Sequence, residues 1–381
     1  MKILQVTPYF FPSVGGIENH VENLAKHLVK NGHEVTIFTS NTHSALQYER
    51  RNGIEIFRFD PLLVLFKNPI SLKILSKLET IKKYDVVHAH DEHGFLTNLT
   101  AFIRKICRIP LVVTCHGDLV PETFFENIII TTYEKTLLSF TFKNADSIIA
   151  LSNAHKISLQ RFNVSAKKIS VIPNAVISPN LDTIKGSKFI KKHRLQGKKI
   201  ILFVGQLLQR KGIQYLLKAM RNIKKHDLNS ILIIIGKGPF QSELENISKK
   251  LGIEKYVRFF GFVTKDELLE AYAAATVFVL PSLAEGLPTV ILEAMAFSKP
   301  VVATKIKSYP KSFDKVLKFA PTKDFEALAS EIISILKDQS LAHKLGRLGA
   351  SLVEKEFSWP SVTTKTIALY RSLRYKIANR I

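Results

Sequence analysis

The chain has 381 residues, of which 46% are hydrophobic and 23% are charged, and its formal net charge at pH 7 is +23. A chain of this length is too long for one simple core and fits two or three globular domains. No apolar run approaches the roughly 18 to 20 residues of a membrane helix, and residues 2–6 enter a strand before two prolines, so we expect neither a membrane span nor a signal peptide.

The positive charge is concentrated in the second half of the chain. Residues 1–180 contain 20 Lys and Arg against 15 Asp and Glu, a net +5, whereas residues 181–381 contain 35 against 17, a net +18. Such a field favours anionic partners such as nucleotide diphosphates or anionic lipid surfaces, and solvated lysine faces are the alternative. The basic runs lack interleaved aromatic residues, so we expect no nucleic-acid partner. The isolated Cys107 and Cys115 have no ligand spacing and indicate a reducing cytoplasm.

The first half alternates strands and helices. Strands are predicted at residues 2–7, 34–39, 54–59, 85–90, 110–114, 147–151 and 169–172, and helices at 17–30, 71–83, 96–107 and 122–143. Strands separated by helices predict a parallel sheet. The Gly15-Gly16 loop after the first strand would approach a ligand closely because glycine has no side chain, and a plain tight turn is the alternative.

Histidines follow two of these strands. His116 comes directly after the strand at residues 110–114, at the sheet edge where open α/β proteins bind ligands. His88, His90 and His93 are spaced like zinc ligands and nearly match the His-x-His-x-Asp-His run of the metallo-β-lactamase fold. Glu92 stands in place of the Asp, and no later His and Asp complete a second ligand set. We therefore predict no metal site.

Two segments of the chain are rich in lysine. Residues 66–83 are basic and amphipathic and could lie on an anionic membrane, or form an ordinary surface helix with a core stripe. Residues 178–197 are charged and of low complexity, and we interpret them as a domain boundary and hinge.

The second half repeats the plan of the first. Strands are predicted at residues 199–204, 231–235, 257–260, 276–280 and 301–304, and helical segments at 213–224, 288–297, 324–356 and 359–378. Glycine turns follow two strands, at Gly205 to Gly212 and at Gly236 to Gly238. A basic turn or a simple glycine turn before a helix is the plain alternative at each place.

Residues 281–303 combine a strand end, a tight loop, a helix and a new strand. Pro288 sits where the first turn of a helix tolerates a residue without an N–H. The amides of Leu287, Thr289 and Val290 then form a partial positive pole suited to phosphate oxygens.

Two glutamates flank this pole. Glu285 precedes it and can meet whatever is attached to a bound phosphate, while Glu293 lies about 7 to 8 Å further along and suits a ribose diol. Both could be ordinary helix N-terminal charges. Apolar neighbours surround Glu293, so its carboxyl group needs a partner.

The segment around the two glutamates resembles the signature of the group-one retaining glycosyltransferases. The features that carry the resemblance are Glu285 and Glu293 with seven residues between them, the surrounding Pro-Ser-Leu-Ala-Glu-Gly-Leu-Pro, and the Glu-Ala-Met-Ala and Pro-Val-Val-Ala that follow. The resemblance covers nearly the whole chain and implies an α/β GT-B fold of two facing Rossmann-like domains with a cleft between them. Residues 1–182 would be an N-terminal acceptor-binding domain and residues 183–356 a C-terminal nucleotide-sugar-binding domain. Residues 357–381 would form a closing helix packed on the N-terminal domain.

The resemblance also implies the activity, which is transfer of a sugar from a nucleotide-diphosphate sugar to an acceptor hydroxyl with retention of anomeric configuration. The pathway would be glycolipid, glycan or polysaccharide biosynthesis, and the acceptor a lipid-linked, glycan or small molecule. The protein would be cytoplasmic, with peripheral contact at the inner face of an anionic membrane as an option. A nucleotide-sugar epimerase and a non-catalytic sugar-binding subunit remain alternatives, because fold alone does not separate them.

Roles for single residues follow from the same resemblance. Glu285 would orient the sugar and His116 would touch its hydroxyls, and these two are the predicted catalytic residues. Gln206 stands where the family has Arg, so Arg210 is a candidate substitute beside Lys211. The predicted donor-binding residues are Gly15, Gly16, Arg210, Lys211, Gly236, Gly238, Phe262, Val263, Gly286, Leu287, Pro288, Thr289, Val290 and Glu293. No Asp-x-Asp occurs in the sequence, so we expect no essential metal and no cofactor apart from the donor substrate.

Overall fold

The computed structural model describes residues 1–13, 15–65, 68–117, 124–179, 183–226 and 229–378. The chain divides into two compact units, the first Met1–Asn174 with Trp359–Ile381 and the second Ala175–Ser358. The predicted boundary after residue 182, the residue after Gly117 and the start of the 122–143 helix lie outside the described residues.

The described strands of the first unit form an eight-stranded sheet and a separate hairpin. The sheet order is β10-β9-β8-β7-β1-β2-β4-β3. The strands are β1 Lys2–Val6, β2 Glu34–Ser40, β3 Tyr48–Arg51, β4 Ile54–Phe59, β5 Leu63–Leu65, β6 Asn68–Ile70, β7 Val86–His90, β8 Leu111–Thr114, β9 Ser147–Ala150 and β10 Ile169–Val171. All neighbours in the sheet pair in parallel except β3 and β4. The central strands β7, β8 and β9 are buried along their whole length, as expected when helices cover both faces.

The antiparallel edge strand β3 was not predicted from the sequence. Asn52 and Gly53 join it to β4, and both have positive φ, 53° and 77°. An Asn-Gly pair with this backbone makes the two-residue turn that matches the twist of a hairpin. The hairpin of β5 with β6 was also not predicted.

Helices of the first unit are α1 Gly16–Lys30, α2 Leu78–Ile81, α3 Phe95–Cys107, α4 Phe124–Tyr133, α5 Ser139–Asn144 and α6 Asn153–Leu159, with a π-helical turn at Glu134–Leu138. The single helix predicted at residues 71–83 is wrong, because a 3₁₀ helix at Leu72–Lys77 precedes the four-residue α2. Only Ile74 and Ile81 are buried within these two elements. The segment therefore lacks the continuous apolar stripe that holds a long helix on a core.

The second unit contains a parallel sheet of six described strands in the order β13-β12-β11-β14-β15-β16. Its strands are β11 Lys199–Val204, β12 Ser230–Ile235, β13 Val257–Gly261, β14 Val277–Leu280, β15 Val301–Thr304 and β16 Lys318–Ala320. Its helices are α7 Gly186–Lys192, α8 Ile213–His226, α9 Gln241–Lys250, α10 Lys265–Ala274, α11 Thr289–Ala296, α12 Phe325–Lys337 and α13 Gln339–Leu352. Together these elements repeat the strand-helix alternation of a doubly wound fold.

Helix α7 lies inside the segment predicted as a hinge, so that prediction is wrong for residues 186–192. Phe189 of α7 is fully buried. A Cβ atom on Gly186 would lie 2.5 Å from the backbone nitrogen of Ala274, so α7 and α10 approach closely at this glycine. The predicted helical segment 324–356 is also divided, because Asp338 has an extended backbone and its carboxylate caps α13 through the Leu341 N–H at 2.8 Å.

The last helix, α14 Trp359–Ala378, belongs to the first unit. Trp359 stacks on His27 of α1 with ring centroids 5.6 Å apart. The Tyr370 hydroxyl and the Nδ1 atom of His88 on β7 are 2.6 Å apart in a buried hydrogen bond. None of the helices in the described parts of the chain is long and apolar enough to span a membrane.

Candidate active site

The loop between β14 and α11 is held from several directions. Pro288 is the N-cap residue, so α11 begins at Thr289. The Ile291 N–H donates to the Pro288 carbonyl at 3.2 Å, whereas the N–H groups of Thr289 and Val290 have no partner inside the helix. Thr304 at the end of β15 donates a hydrogen bond to the Ser282 carbonyl, and the Ser308 hydroxyl donates to the Glu285 carbonyl at 2.6 Å. Neighbouring elements therefore fix the backbone around the helix start.

Glu285 forms an ion pair at this place. Lys211 Nζ lies 2.5 Å from Glu285 Oε1, and the Ser282 hydroxyl donates to the same oxygen at 2.7 Å. The side chains are 13% exposed for Lys211 and 8% exposed for Glu285, so solvent screens the pair only weakly. The structure thus brings a cation and a carboxylate together beside the start of α11, a pairing that the sequence did not predict.

Arg210 lies on the open side of this ion pair. Its Nη1 atom donates to the Ala284 carbonyl at 3.3 Å and is 3.8 Å from Glu285 Oε2. Gly212 makes this geometry possible, because its φ is +70° and a Cβ atom there would lie 1.9 Å from the Pro281 carbonyl oxygen. Gln206 is exposed and its side chain carries no charge. Arg210 is therefore the second cation, after Lys211, that the structure places beside Glu285.

The glycines of the next turn pack against the loop after β11. A Cβ atom on Gly236 would lie 2.0 Å from the Gly205 carbonyl oxygen, and one on Gly238 would lie 2.3 Å from that of Leu207. These two glycines are therefore required by backbone packing in the protein itself. After β13, Phe262 is 77% exposed, with Lys237 Nζ 5.5 Å from its ring centroid, and Val263 follows it on the surface of the same unit.

Glu293 has a partner that the sequence did not reveal. The Tyr272 hydroxyl on α10 donates to Glu293 Oε2 at 2.7 Å. Burial raises the pKa of Glu293, and this hydrogen bond lowers it in part. Oε1 has no hydrogen-bond partner among the described residues, which leaves one carboxylate oxygen for a ligand.

In the first unit, three histidines meet at the carboxyl edge of the sheet. His20 on α1, His90 at the end of β7 and His116 after β8 have ring nitrogens that all lie within 4.8 Å of one another. His90 Nδ1 is 3.4 Å from His116 Nε2, and His90 Nε2 is 3.0 Å from Gln5 Oε1. Burial lowers the pKa of His20 to about 4 and places the pKa values of His90 and His116 well below 6.5, so the cluster is uncharged at neutral pH.

A buried glutamate holds the backbone beside this cluster. The Glu92 carboxylate accepts hydrogen bonds from the backbone N–H groups of His116 at 2.9 Å and Gly117 at 3.4 Å. Burial raises the pKa of Glu92 to about 8, and the nearby Asp91 carboxylate adds to the rise. The two backbone bonds orient the loop that carries His116.

The Gly15-Gly16 loop ends at α1, four residues before His20. Gly15 is the N-cap residue with an extended backbone, and Gly16 is the first residue of the helix. A Cβ atom added to Gly16 would have nothing within 4 Å. Gly16 is therefore not required by packing in the free protein.

His88 does not join the cluster. Both of its ring nitrogens are used, one with Tyr370 and the other with the Thr114 hydroxyl at 2.6 Å. The zinc arrangement considered for His88, His90 and His93 is therefore not assembled. His20 was missed, although the helical spacing of Ile17, His20 and Leu24 places it on the buried face of α1.

The chain matches two family models that together span most of its length. Residues 14–177 match "Glycosyltransferase Family 4" and residues 186–351 match "Glycosyl transferases group 1". An uncharacterised glycosyltransferase of Methanocaldococcus jannaschii is 29% identical over 388 residues, covering 97% of this chain and 98% of the relative. The phosphatidylinositol N-acetylglucosaminyltransferase gpi3 subunit of Schizosaccharomyces pombe is 26% identical over 380 residues, covering 97% of this chain and 80% of the relative.

Solved structures show the same fold at lower sequence identity. Sucrose-phosphate synthase from Thermosynechococcus elongatus superposes with a TM-score of 0.77 at 22% identity, covering 98% of both chains. Anabaena HepE in complex with UDP-glucose gives a TM-score of 0.78 at 20% identity, covering 98% of this chain and all of the other. With both halves matched in family order and the two α/β units described, the chain belongs to the group 1 glycosyltransferases of the GT-B fold.

Proposed function

We propose that the protein transfers a hexose from a nucleotide-diphosphate sugar to an acceptor hydroxyl with retention of the anomeric configuration. The observation that carries this proposal is the Lys211–Glu285 ion pair at the start of α11. It places a cation, a carboxylate and helix amides together, which are the groups needed to hold a diphosphate and the sugar attached to it.

The donor would be held by residues of the second unit. The backbone N–H groups of Leu287, Thr289 and Val290, with Lys211 and Arg210, would bind the diphosphate oxygens. Gly286, which has no side chain, would leave room for the donor beside these groups. Glu293 Oε1 would accept hydrogen bonds from the ribose hydroxyls, while Tyr272 holds Oε2. The base would lie against Phe262 and Val263. The exposed aromatic ring of Phe262 offers a stacking face.

Lys211 would change partner when the donor binds. In the free protein its ammonium group is paired with Glu285, and a diphosphate would offer it a stronger concentration of negative charge. Glu285 would then be free to accept hydrogen bonds from the sugar hydroxyls. His116, with the Gly15-Gly16 loop, would contribute the contacts of the first unit to the sugar and the phosphates.

In the chemical step, the bond between the anomeric carbon and the β-phosphate oxygen breaks while the acceptor oxygen bonds to that carbon on the same face. The acceptor proton passes to the departing phosphate oxygen, so the products are the glycoside and the nucleoside diphosphate. Lys211, Arg210 and the helix amides stabilise the charge that develops on the phosphate. Because two cations already supply this stabilisation, we propose that transfer needs no metal ion.

The names of the relatives guide the choice of substrates. The yeast gpi3 relative is named for transfer of N-acetylglucosamine to phosphatidylinositol, and the Anabaena structure contains UDP-glucose. We therefore propose a UDP-sugar as the first donor to test, a lipid-linked or glycan acceptor, and glycolipid or polysaccharide biosynthesis as the pathway. An acceptor of this kind would bring the protein to a membrane surface.

A donor panel tests the proposal. The full chain is incubated with UDP-glucose, UDP-galactose, UDP-N-acetylglucosamine or GDP-mannose, with and without a panel of lipid and sugar acceptors, in the presence of EDTA. One donor should raise the melting temperature and yield a glycoside whose anomeric proton coupling matches that of the donor. Turnover of donor without acceptor to an epimeric sugar, or an inverted product, would contradict the proposal.

A further inference from the structure

We infer that His20, His90 and His116 form a binding site for one divalent cation of the zinc class. These histidines come from three separate elements, α1, β7 and the loop after β8, yet their ring nitrogens lie within 4.8 Å of one another. Neutral imidazole nitrogens are typical ligands of Zn²⁺, Co²⁺ and Ni²⁺, and they do not favour Mg²⁺ or Ca²⁺.

The spacing of two of the nitrogens already matches tetrahedral coordination. With Zn–N bonds of about 2.0 to 2.1 Å, two ligands of a tetrahedral zinc ion are about 3.3 to 3.4 Å apart. His90 Nδ1 and His116 Nε2 are 3.4 Å apart in a hydrogen bond, and an ion would replace the proton between them. The ring of His20 lies 5.6 Å from that of His90 and 5.1 Å from that of His116, so a small rotation brings it to the same ion.

The groups around the cluster are those that orient metal ligands. The Nε2–H of His90 donates to Gln5 Oε1 at 3.0 Å, which leaves the lone pair of Nδ1 directed at His116. The buried Glu92 carboxylate fixes the His116 backbone through its N–H at 2.9 Å.

Three protein ligands leave the fourth tetrahedral position open. His20 and His116 are partly exposed, so an ion can enter from solvent and keep one water molecule or a small anion. His88 cannot be the fourth ligand, because its two nitrogens are bonded to Tyr370 and Thr114. The site therefore has the ligand count of an open three-histidine centre.

A cation at this site would inhibit sugar transfer. It would occupy Nε2 of His116, the residue to which the proposed function gives a contact with the sugar. This consequence rests on the proposed function, whereas the metal site itself does not.

Metal binding can be measured without any activity. The full chain is stripped with a chelator, exchanged into buffer and titrated with Co²⁺ while visible absorption is recorded, and Zn²⁺ binding is then followed by calorimetry. We expect one ion per chain and a tetrahedral cobalt spectrum that Zn²⁺ abolishes. Absence of stoichiometric binding would overturn the inference.

Two variants locate the ion. His20→Gln removes one ligand from a partly exposed helix position and should weaken zinc binding by more than about 100-fold, beyond the 10- to 100-fold loss typical of changes next to ligands. His43→Gln is the control, because His43 is an exposed imidazole that contacts Ser13. Equal zinc affinity in wild type and His20→Gln, or an equal loss in His43→Gln, would contradict the site.

Inhibition is tested separately. Once a donor is identified, zinc should inhibit wild-type transfer, and His20→Gln should need at least about 100-fold more zinc for the same inhibition. The cobalt spectrum does not require turnover, so the metal site is tested even if no donor is found. Failure to find a donor would count against the proposed function alone. Zinc inhibition at the same concentration in both proteins would contradict the assignment of His20 as a ligand.

Discussion

The two units place polar side chains at the same edge of the same kind of sheet, but the chemistry of the two edges differs. In the second unit, Lys211 and Arg210 stand beside Glu285 at a helix start. In the first unit, uncharged imidazoles pack around His116 at the carboxyl edge, where the carboxyl groups of Asp91 and Glu92 have raised pKa values. The doubly wound fold therefore determines where functional groups gather, and local burial determines which charge they carry.

Burial explains this difference. Within the first unit, desolvation lowers the pKa of His88 to about 3 and that of His20 to about 4, and it raises the pKa of Asp91 to about 6. In the second unit, Lys211 and Glu285 neutralise each other directly at 2.5 Å, so both can be charged in a largely enclosed place. One edge is suited to binding an anion, and the other is suited to hydrogen bonds and soft cations.

The largest expected effect comes from removing the charged groups of the second unit. Lys211→Ala should lower kcat by about 10²- to 10³-fold, as does loss of one donor that stabilises a developing oxyanion. Glu285→Ala should lower kcat more than it weakens donor affinity, because Glu285 is assigned to the sugar. Steady-state kinetics with the identified donor measures both effects.

The control for these variants is Arg221→Ala, which removes an exposed cation of α8 in the same unit. Its kcat should equal that of the wild type. If Lys211→Ala and Arg221→Ala lower kcat equally, the net charge of the unit determines the rate of transfer and the Lys211–Glu285 ion pair has no specific role.

A second prediction concerns the pH dependence of the first unit. In the unfolded chain His20 and His88 bind protons below about pH 6.5, whereas in the folded chain their pKa values are about 4 and about 3. The free energy of unfolding therefore falls as the pH drops below about 6.5. Folded Glu92 keeps its proton up to about pH 8, so stability also falls as the pH rises from about 4.5 to 8. The lowered pKa values of the four histidines, His20, His88, His90 and His116, oppose the raised pKa values of Glu92 and Asp91. Because the histidines are more numerous, hydrogen-exchange protection of β7 and β8 should decrease between neutral pH and about pH 5.

Variants separate the two limbs of this profile. His20→Gln should reduce the acid loss of protection without abolishing it, because His88, His90 and His116 remain. Glu92→Gln should reduce the loss of protection at higher pH, and both effects are measured as protection factors of the same peptides. β11 of the second unit is the internal reference in the same sample. Acid loss of protection that is unchanged in His20→Gln would show that its buried imidazole is not a cause.

A third prediction contrasts glycines of the two units. Gly236→Ala should destabilise the second unit by about 1–3 kcal/mol, because its φ of +134° and the Gly205 carbonyl oxygen leave no place for a Cβ atom. Gly16→Ala should not lower the melting temperature, because its Cβ atom has free space in the protein. It should raise the KM for the donor, because a bound ligand would meet the new methyl group. Thermal unfolding and kinetics together test this, and an unchanged KM would remove Gly16 from the proposed binding site.

The smallest expected effect is that of Tyr272→Phe. Loss of its hydrogen bond should raise the pKa of Glu293 further and weaken nucleoside diphosphate binding by about 3- to 10-fold. The loss should be greater at pH 5.5 than at pH 8, because protonated Glu293 accepts ribose hydroxyls poorly. Calorimetry at both pH values measures it, with Glu293→Ala as the reference for complete loss; tighter binding in Tyr272→Phe would contradict the assignment.

Much of the fold could be predicted because local patterns were strong. β4, β11 and β15 were predicted with the residues that the structure gives them, since apolar residues in each strand are followed by clear turn residues. The helix after Pro288 was also recognisable from its proline and the apolar residues that follow. The Asn52-Gly53 turn was an available signal that the prediction did not use.

The parts of the site that were missed depend on contacts between distant residues. Tyr272 and Glu293 are 21 residues apart, and His116 is far along the chain from His20. No local pattern shows that such residues meet, because the pairing is set by how helices pack on the sheet. The role of Gly236 in backbone packing was likewise visible only once Gly205 was seen beside it.

The return of α14 to the first unit has a practical consequence for anyone who wishes to dissect the protein. The chain passes between the units twice, after Asn174 and before Trp359. A fragment cut at the first junction would lose Tyr370 and leave the buried Nδ1 of His88 without its bond. An independently expressed N-terminal half would have to carry residues 359–378 grafted behind residue 174 through a short artificial linker.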